Sequence, residues 1–168
     1  VNTEYHLYKY NYISSEKECI DPAPYSHWTI KEIYEQSTIA NNAIHSRIKN
    51  DHEVILGGLE SHRNELINID NIILLGCGTS LNSATYSSIF FKELCDFNCV
   101  LYFDGAEFNN NDIPRLGKSA AIFISQSGET KDLHRCFNIL EKYNIITVGV
   151  VNVVDSMIAR EVHCGVYI

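Results

Sequence analysis

The hydrophobic positions of this chain fall into two regimes. Between residues 28 and 49 they recur at helical spacing. Ile30, Ile33, Tyr34, Ser37, Ala40 (or Asn41), Ile44 and Ile48 form one stripe with the i, i+3, i+4, i+7 period of a helix that buries one face. Thr29, with Glu32 three residues later, has the form of a capping box at its start. Gly57-Gly58 breaks the pattern, and a shorter helix is expected over 59–67. From residue 71 onward, short apolar runs alternate with amphipathic stretches. The runs at 71–75, 99–103, 120–124, 145–151 and 165–168 predict strands. The stretches between them predict helices over 82–95 (stripe Tyr86, Ile89, Phe90, Leu94), 130–143 (Leu133, Phe137, Leu140) and 156–161, the last capped by Asp155 or Ser156.

Short apolar strands alternating with helices imply an α/β fold, a doubly wound, mostly parallel five-stranded sheet preceded by a helical lead-in. Residues 1–26 read as a lead-in from a preceding domain or linker, with an aromatic, strand-like run at 5–13 and a break at Asp21-Pro22-Ala23-Pro24. Residues 27–168 read as one domain, with the helical part at 27–68 and the sheet at 71–168. A sheet of this kind commonly takes the flavodoxin-like order 2-1-3-4-5, which places a crevice between the C-terminal ends of strands one and three.

The only two Gly/Ser/Thr-rich strand-to-helix loops follow those two strands: Gly76-Cys77-Gly78-Thr79-Ser80 and Ser125-Gln126-Ser127-Gly128-Glu129-Thr130. The first N–H groups of a helix have no intrahelical partner and carry partial positive charge. Hydroxyl and backbone donors there suit a dianionic phosphate without Lys or Arg. Ser80, Ser125, Ser127 and Thr130 are expected to donate to phosphate oxygens, and Gln126 to offer its amide to phosphate or to a sugar hydroxyl. Thr79 either joins them or only caps its helix. Gly78 and Gly128 let the backbone approach, Cys77 lies alongside as a small thiol, and Glu129 is expected to turn from the anion towards the helix N-terminus. The plainer alternative is a pair of Ser/Thr-capped helix starts with no ligand.

Composition narrows the classes. The 168 residues are 45% hydrophobic, as in a globular domain, and the net charge of −8 opposes nonspecific binding to nucleic acid or an anionic membrane. No apolar run approaches the roughly 20 residues of a membrane span, and Val1-Asn2-Thr3-Glu4-Tyr5 is unlike a signal peptide. Six scattered cysteines, without a C-x-x-C pair, read as reduced thiols of a cytoplasmic protein. Cys95 and Cys99 have half a zinc spacing but no second pair, so no metal is expected. No P-loop occurs. Gly76-Cys77-Gly78, with Asp104 at the end of strand two, leaves open a methyltransferase that binds S-adenosylmethionine, but Thr79-Ser80 stand where a third Gly is usual. A noncatalytic sugar-phosphate sensor is a further alternative. His27, His45, His52, His62 and His134 read as ordinary histidines, and no acid–base pair is placed in the crevice.

Three stretches carry a resemblance: Leu75-Gly76-Cys77-Gly78-Thr79-Ser80, Ile124-Ser125-Gln126-Ser127-Gly128-Glu129-Thr130, and His27-Trp28-Thr29-Ile30-Lys31-Glu32-Ile33-Tyr34-Glu35-Gln36. Together they resemble the glucosamine-6-phosphate synthase family, the isomerizing glutamine–fructose-6-phosphate aminotransferases, in the first of the two sugar-isomerase (SIS) domains of its isomerase half. The resemblance runs from about His27 to the end of the chain. It implies a grip on the phosphate of fructose 6-phosphate or glucosamine 6-phosphate through Ser125, Gln126, Ser127 and Thr130, with Thr79 and Ser80 near the sugar and its phosphate. It implies no cofactor or metal, a role in hexosamine synthesis, a glutaminase domain and a second SIS domain as partners, and pairing of subunits. The family's nucleophilic Cys, Glu base, sugar-contacting Lys and ring-opening His lie in segments this chain does not include. The chain is therefore expected to be a fragment that binds a hexose 6-phosphate and is inactive alone. Ser37, where the family usually has Pro, and the Asn109-Asn110-Asn111 loop depart from the pattern.

Overall fold

A computed structural model describes residues 21–45, 47–49 and 53–168. The aromatic run at 5–13 and Cys19 lie outside the described residues. The chain divides into two compact units, Val1–Ser46 and Arg47–Ile168.

In the first unit, helix α1 spans Trp28–His45. It begins one residue before the expected cap: the Lys31 N–H donates to the His27 carbonyl (3.3 Å), so Thr29 lies inside the helix and is not its N-cap. Helix α1 also stops short of 49. The supposed buried stripe is not buried: no residue of α1 is, and Ile33 and Tyr34 are exposed. Its side chains interact locally, through the stacked rings of Tyr25 and Tyr34 and through Lys31 Nζ, 4.9 Å from the Trp28 ring.

The second unit opens with a short antiparallel pair, Ile48–Lys49 with Glu53–Val54. The expected helix over 59–67 is instead a 3-10 turn, Gly57–His62, running into one α-helical turn, α2 (Arg63–Leu66). The turn packs on the last strand where Gly58 meets the Gly165 carbonyl, an approach that leaves no room for a Cβ.

The sheet follows. Strands β1 (Asn71–Gly76), β2 (Cys99–Asp104), β3 (Ser119–Ser125), β4 (Ile146–Val151) and β5 (Cys164–Tyr167) lie in the order β2-β1-β3-β4-β5, all parallel. This is the expected 2-1-3-4-5 order. Interior strand β1 is buried on both faces, which is why it reads as an unbroken apolar run. Its one polar member, Asn71, is paired: Nδ2 donates to the Leu116 carbonyl (2.8 Å).

Helices cover both faces. Ile73, Leu75, Ala121 and Phe123 pack with Leu133, Cys136 and Leu140 of α4 (Lys131–Glu141) and with Ile158 of α5 (Met157–Glu161). Phe108, fully buried, anchors the loop after β2 to this face. Arg135 Nη2 holds the same loop by donating to the carbonyls of Gly105 (2.7 Å) and Phe108 (2.8 Å). The Asn run itself lies at the surface, with Asn110 and Asn111 exposed. Asn109 and Asp112 form a capping box on a 3-10 turn, Asn110–Asp112. The other face, with Ile72, Leu74 and Ala120, packs under α3 (Thr79–Leu94). Here the expected stripe is out of phase. Tyr86, Ile89, Phe90 and Leu94 are exposed, and Ala84 and Ser88 are the buried positions.

Candidate functional site

Strands β1 and β3 are neighbours in register, Leu75 beside Phe123, so both small-residue loops leave the sheet at the same level of its C-terminal edge. Adjacent strands are about 5 Å apart. The connections then diverge, α3 to one face and α4 to the other. The structure thereby brings the two groups of candidate residues together at the switch point.

The loop after β1 is built on backbone. Gly76 approaches the start of α3 so closely that a Cβ would stand 2.7 Å from the Ser80 carbonyl carbon. Gly78 is the N-cap of α3, with φ 58 and ψ −126, a conformation open essentially only to glycine. Helix α3 starts at Thr79, three residues earlier than expected, so Thr79 and Ser80 occupy its first turn and Thr79 is not the cap. Thr79 is exposed and Ser80 half-buried. Cys77 is half-buried, and burial pushes its thiol above the ordinary range; the Gly105 backbone partly opposes this and Asp104 adds to it. A thiol held protonated is a poor nucleophile.

The loop after β3 is built on hydroxyls. Ser125 is buried, and its Oγ accepts the Gly128 N–H (3.0 Å) and lies 3.4 Å from Thr130 Oγ1. Ser127 Oγ accepts the Glu129 N–H (3.2 Å). Each hydroxyl that accepts retains a proton of its own to donate, so these turns do not exhaust the loop's donors. Gln126 and Ser127 are exposed. Thr130 is the N-cap of α4, yet its side chain makes no capping bond, so the first amides of an 11-residue helix are not covered by their own cap residue. Gly128 has φ 68, and a Cβ there would collide with Ser156.

Glu129 does turn to a helix N-terminus, but not to that of α4. Its Oε1 accepts the Met157 N–H of α5 (2.9 Å), a partner 28 residues away. The sequence points to Gly76, Glu129 and Ser156 but not to these contacts: the close approach of Gly76 to α3, the Met157 partner of Glu129 and the packing of Ser156 on Gly128. Gly76 had a signal, since it opens the loop; the distant pairing of Glu129 had none.

Asp104 ends β2 beside Gly76, and its Oδ1 accepts the Ala106 N–H of its own turn (2.9 Å). Among the described residues no three His, Cys, Asp or Glu side chains converge to hold a metal ion, and no helix is long and apolar enough to cross a membrane. A cavity of about 800 Å³ opens at the opposite, N-terminal end of the strands, between Lys118, Ile146, His62 and His163. It shares no residue with the two loops.

An all-parallel, doubly wound sheet with two Gly/Ser/Thr loops at its switch point defines a class of α/β domain suited to small anionic ligands. The SIS domain family matches residues 65–168, and the chain belongs to that family. It is similar to a probable isomerizing glutamine–fructose-6-phosphate aminotransferase of Acanthamoeba polyphaga mimivirus, at 40% identity over 164 residues, 95% of this chain and 26% of the relative. The isomerizing glutamine–fructose-6-phosphate aminotransferase of Saccharomyces cerevisiae is 36% identical over 146 residues, 86% of this chain and 20% of the relative. Among solved structures, the C-terminal domain of glucosamine-fructose-6-phosphate aminotransferase from Francisella tularensis matches with a TM-score of 0.77 at 27% identity, over 88% of this chain and 41% of that one. The chain spans about a quarter of the length of these two sequence relatives, or less.

Proposed function

We propose that this chain is the phosphate-binding part of the isomerase half of an isomerizing glutamine–fructose-6-phosphate aminotransferase. It binds the phosphate of fructose 6-phosphate or glucosamine 6-phosphate. The observation that carries this reading is the pairing of an uncapped α4 N-terminus with the hydroxyls of Ser125, Ser127 and Thr130, next to the loop of Gly78, Thr79 and Ser80. A phosphate dianion there accepts from the helix amides and from hydroxyls, with the helix dipole adding attraction. Gln126, exposed at the rim, reaches a phosphate or sugar oxygen.

Moving a proton between adjacent sugar carbons needs a positioned base. In this reading the base comes from a second SIS domain and the ammonia from a glutaminase domain. The complete enzyme works as a homo-oligomer in the cytoplasm, supplying hexosamine precursors. The chain alone is then a binding module without turnover.

The test is an amide NMR titration with fructose 6-phosphate, with fructose and S-adenosylmethionine as controls. Shifts at Gly78, Ser80, Ser127, Gly128 and Thr130 with the phosphate sugar alone support the reading. Shifts with S-adenosylmethionine confined to Gly76, Cys77, Gly78 and Thr79 replace it with the methyltransferase reading. No shift with fructose 6-phosphate at tens of millimolar, where binding is worth only about 2–3 kcal/mol, removes it.

A further inference from the structure

The connection from β4 to α5 closes onto the loop after β3. The Val153 N–H donates to the Gln126 carbonyl (3.3 Å), and the Ile158 N–H to the Gly128 carbonyl (2.9 Å). The Met157 N–H donates to Glu129 Oε1 (2.9 Å), and Gly128 lies directly against Ser156. Helix α5 thus has its first two amides, Met157 and Ile158, bound by a loop about 28 residues away.

This displaces the natural cap. Ser156 is the N-cap of α5, with extended backbone, and a serine there ordinarily accepts from the second or third helical amide. It makes no such bond. Ser156 is 3% exposed, and its Oγ has no partner among the described residues. A buried hydroxyl without a partner is unfavourable. The loop-capped arrangement therefore needs a compensating contact, and the charge-assisted bond from Met157 to the Glu129 carboxylate supplies one. The placement of Glu129 is otherwise hard to explain, since an acid beside an anion site repels the ligand.

We propose that Glu129 is the positioning residue of the anion loop, and that it holds Ser127 and Gly128 in their binding conformation through its bond to the first amide of α5, which keeps the Gly128 carbonyl on the second amide in place of Ser156. The proposal rests on the phosphate reading of that loop. Glu129 does not touch the ligand; it acts through the Met157 amide. When its carboxylate is lost, the loop is released, the Gly128 carbonyl gives up the Ile158 amide, and Ser156 turns onto that amide.

Two measurements on the whole 168-residue chain test this. The first needs no ligand. Ser156→Ala in the native background leaves the thermal midpoint unchanged or raises it, because the hydroxyl makes no bond. In a Glu129→Ala background the same substitution lowers the midpoint, because Ser156 has become the cap. Equal effects in both backgrounds overturn the exchange of caps.

The second reads affinity for fructose 6-phosphate from the Gly128 and Thr130 amides. Glu129→Ala weakens binding about tenfold, whereas Glu129→Gln, whose amide oxygen accepts the same bond, stays within about threefold of the native chain. A loss in Glu129→Gln as large as in Glu129→Ala overturns the positioning role. So does a Glu129→Ala chain that is less stable but binds with native affinity. If the native chain shows no binding, the phosphate reading fails and the positioning role fails with it. Native binding with additive thermal effects contradicts the cap exchange alone.

Discussion

The strand–loop–helix units β1–α3 and β3–α4 share a topology and sit side by side, yet they are held together differently. In β3–α4 the helix buries Leu133, Cys136 and Leu140, and its loop is tied to a third segment through Gln126, Gly128 and Glu129. In β1–α3 the helix buries the small residues Ala84 and Ser88 and leaves Tyr86, Ile89, Phe90 and Leu94 outside. Its loop turns on Gly76 and Gly78, with nothing within 4 Å of where a Gly78 side chain would begin, and it is tied from outside at its base, where the Gly76 carbonyl accepts the Gly105 N–H (3.1 Å). One loop is braced along its tip by a third segment, the other is held at its base, at Gly76 and Cys77. The difference shows how a switch point can pair a loop braced by a third segment with a neighbour that is structurally less constrained.

The largest expected contrast is in stability. Leu133→Ala or Leu140→Ala, both fully buried, should lose about 2–5 kcal/mol in chemical denaturation, and Leu94→Ala, 77% exposed, less than about 0.5 kcal/mol. A Leu94→Ala loss in the core range would mean that the outer face of α3 is covered in solution.

Next come the glycines. Gly78→Ala meets only backbone strain, about 1–3 kcal/mol. Gly128→Ala adds the collision with Ser156, which raises its cost by a further ~1–3 kcal/mol. Equal losses would show that the loop after β3 yields as easily as its neighbour.

In binding, Ser127→Ala should reduce affinity for fructose 6-phosphate by roughly 1.5–3 kcal/mol, the worth of a hydrogen bond to a charged group. Thr79→Ala should reduce it by less, since Thr79 is exposed in the first turn of α3. The reverse order would shift the anion towards the first loop.

The smallest effect concerns thiols. Burial, partly offset by Arg135, pushes Cys136 from its ordinary 9.0 up to about 12. Because the folded value is the higher one, the stability it contributes is fully present below pH 9 and is lost as pH rises towards 12. Near neutral pH, iodoacetamide should label exposed Cys95 well before Cys136, read by mass spectrometry. Equal labelling would show that α4 opens as readily as the surface.

The same contrast marks what could be read from the sequence. The strands were legible to within about two residues because each is an apolar run bounded by Gly, Asn or charged residues, and the two loops were legible because small residues cluster after β1 and β3. The stripe of α4 was legible because only one side of that helix is apolar. In α3 the period was legible but the phase was not. Large apolar residues occur on its outer side, and close packing on the sheet selects small ones inside. The stripe of α1 failed for a related reason: periodicity marks an apolar face without saying what covers it. The destination of Glu129 was illegible because its partner, Met157, is set by the fold and not by spacing.

The most direct test of the phosphate site is a crystal structure of this chain with fructose 6-phosphate. The account predicts the phosphate at the N-terminus of α4, within hydrogen-bonding distance of the Ser127 and Thr130 hydroxyls and the first helix amides. A phosphate bound instead at the other end of the sheet, in the cavity beside Lys118 and His163, would contradict it.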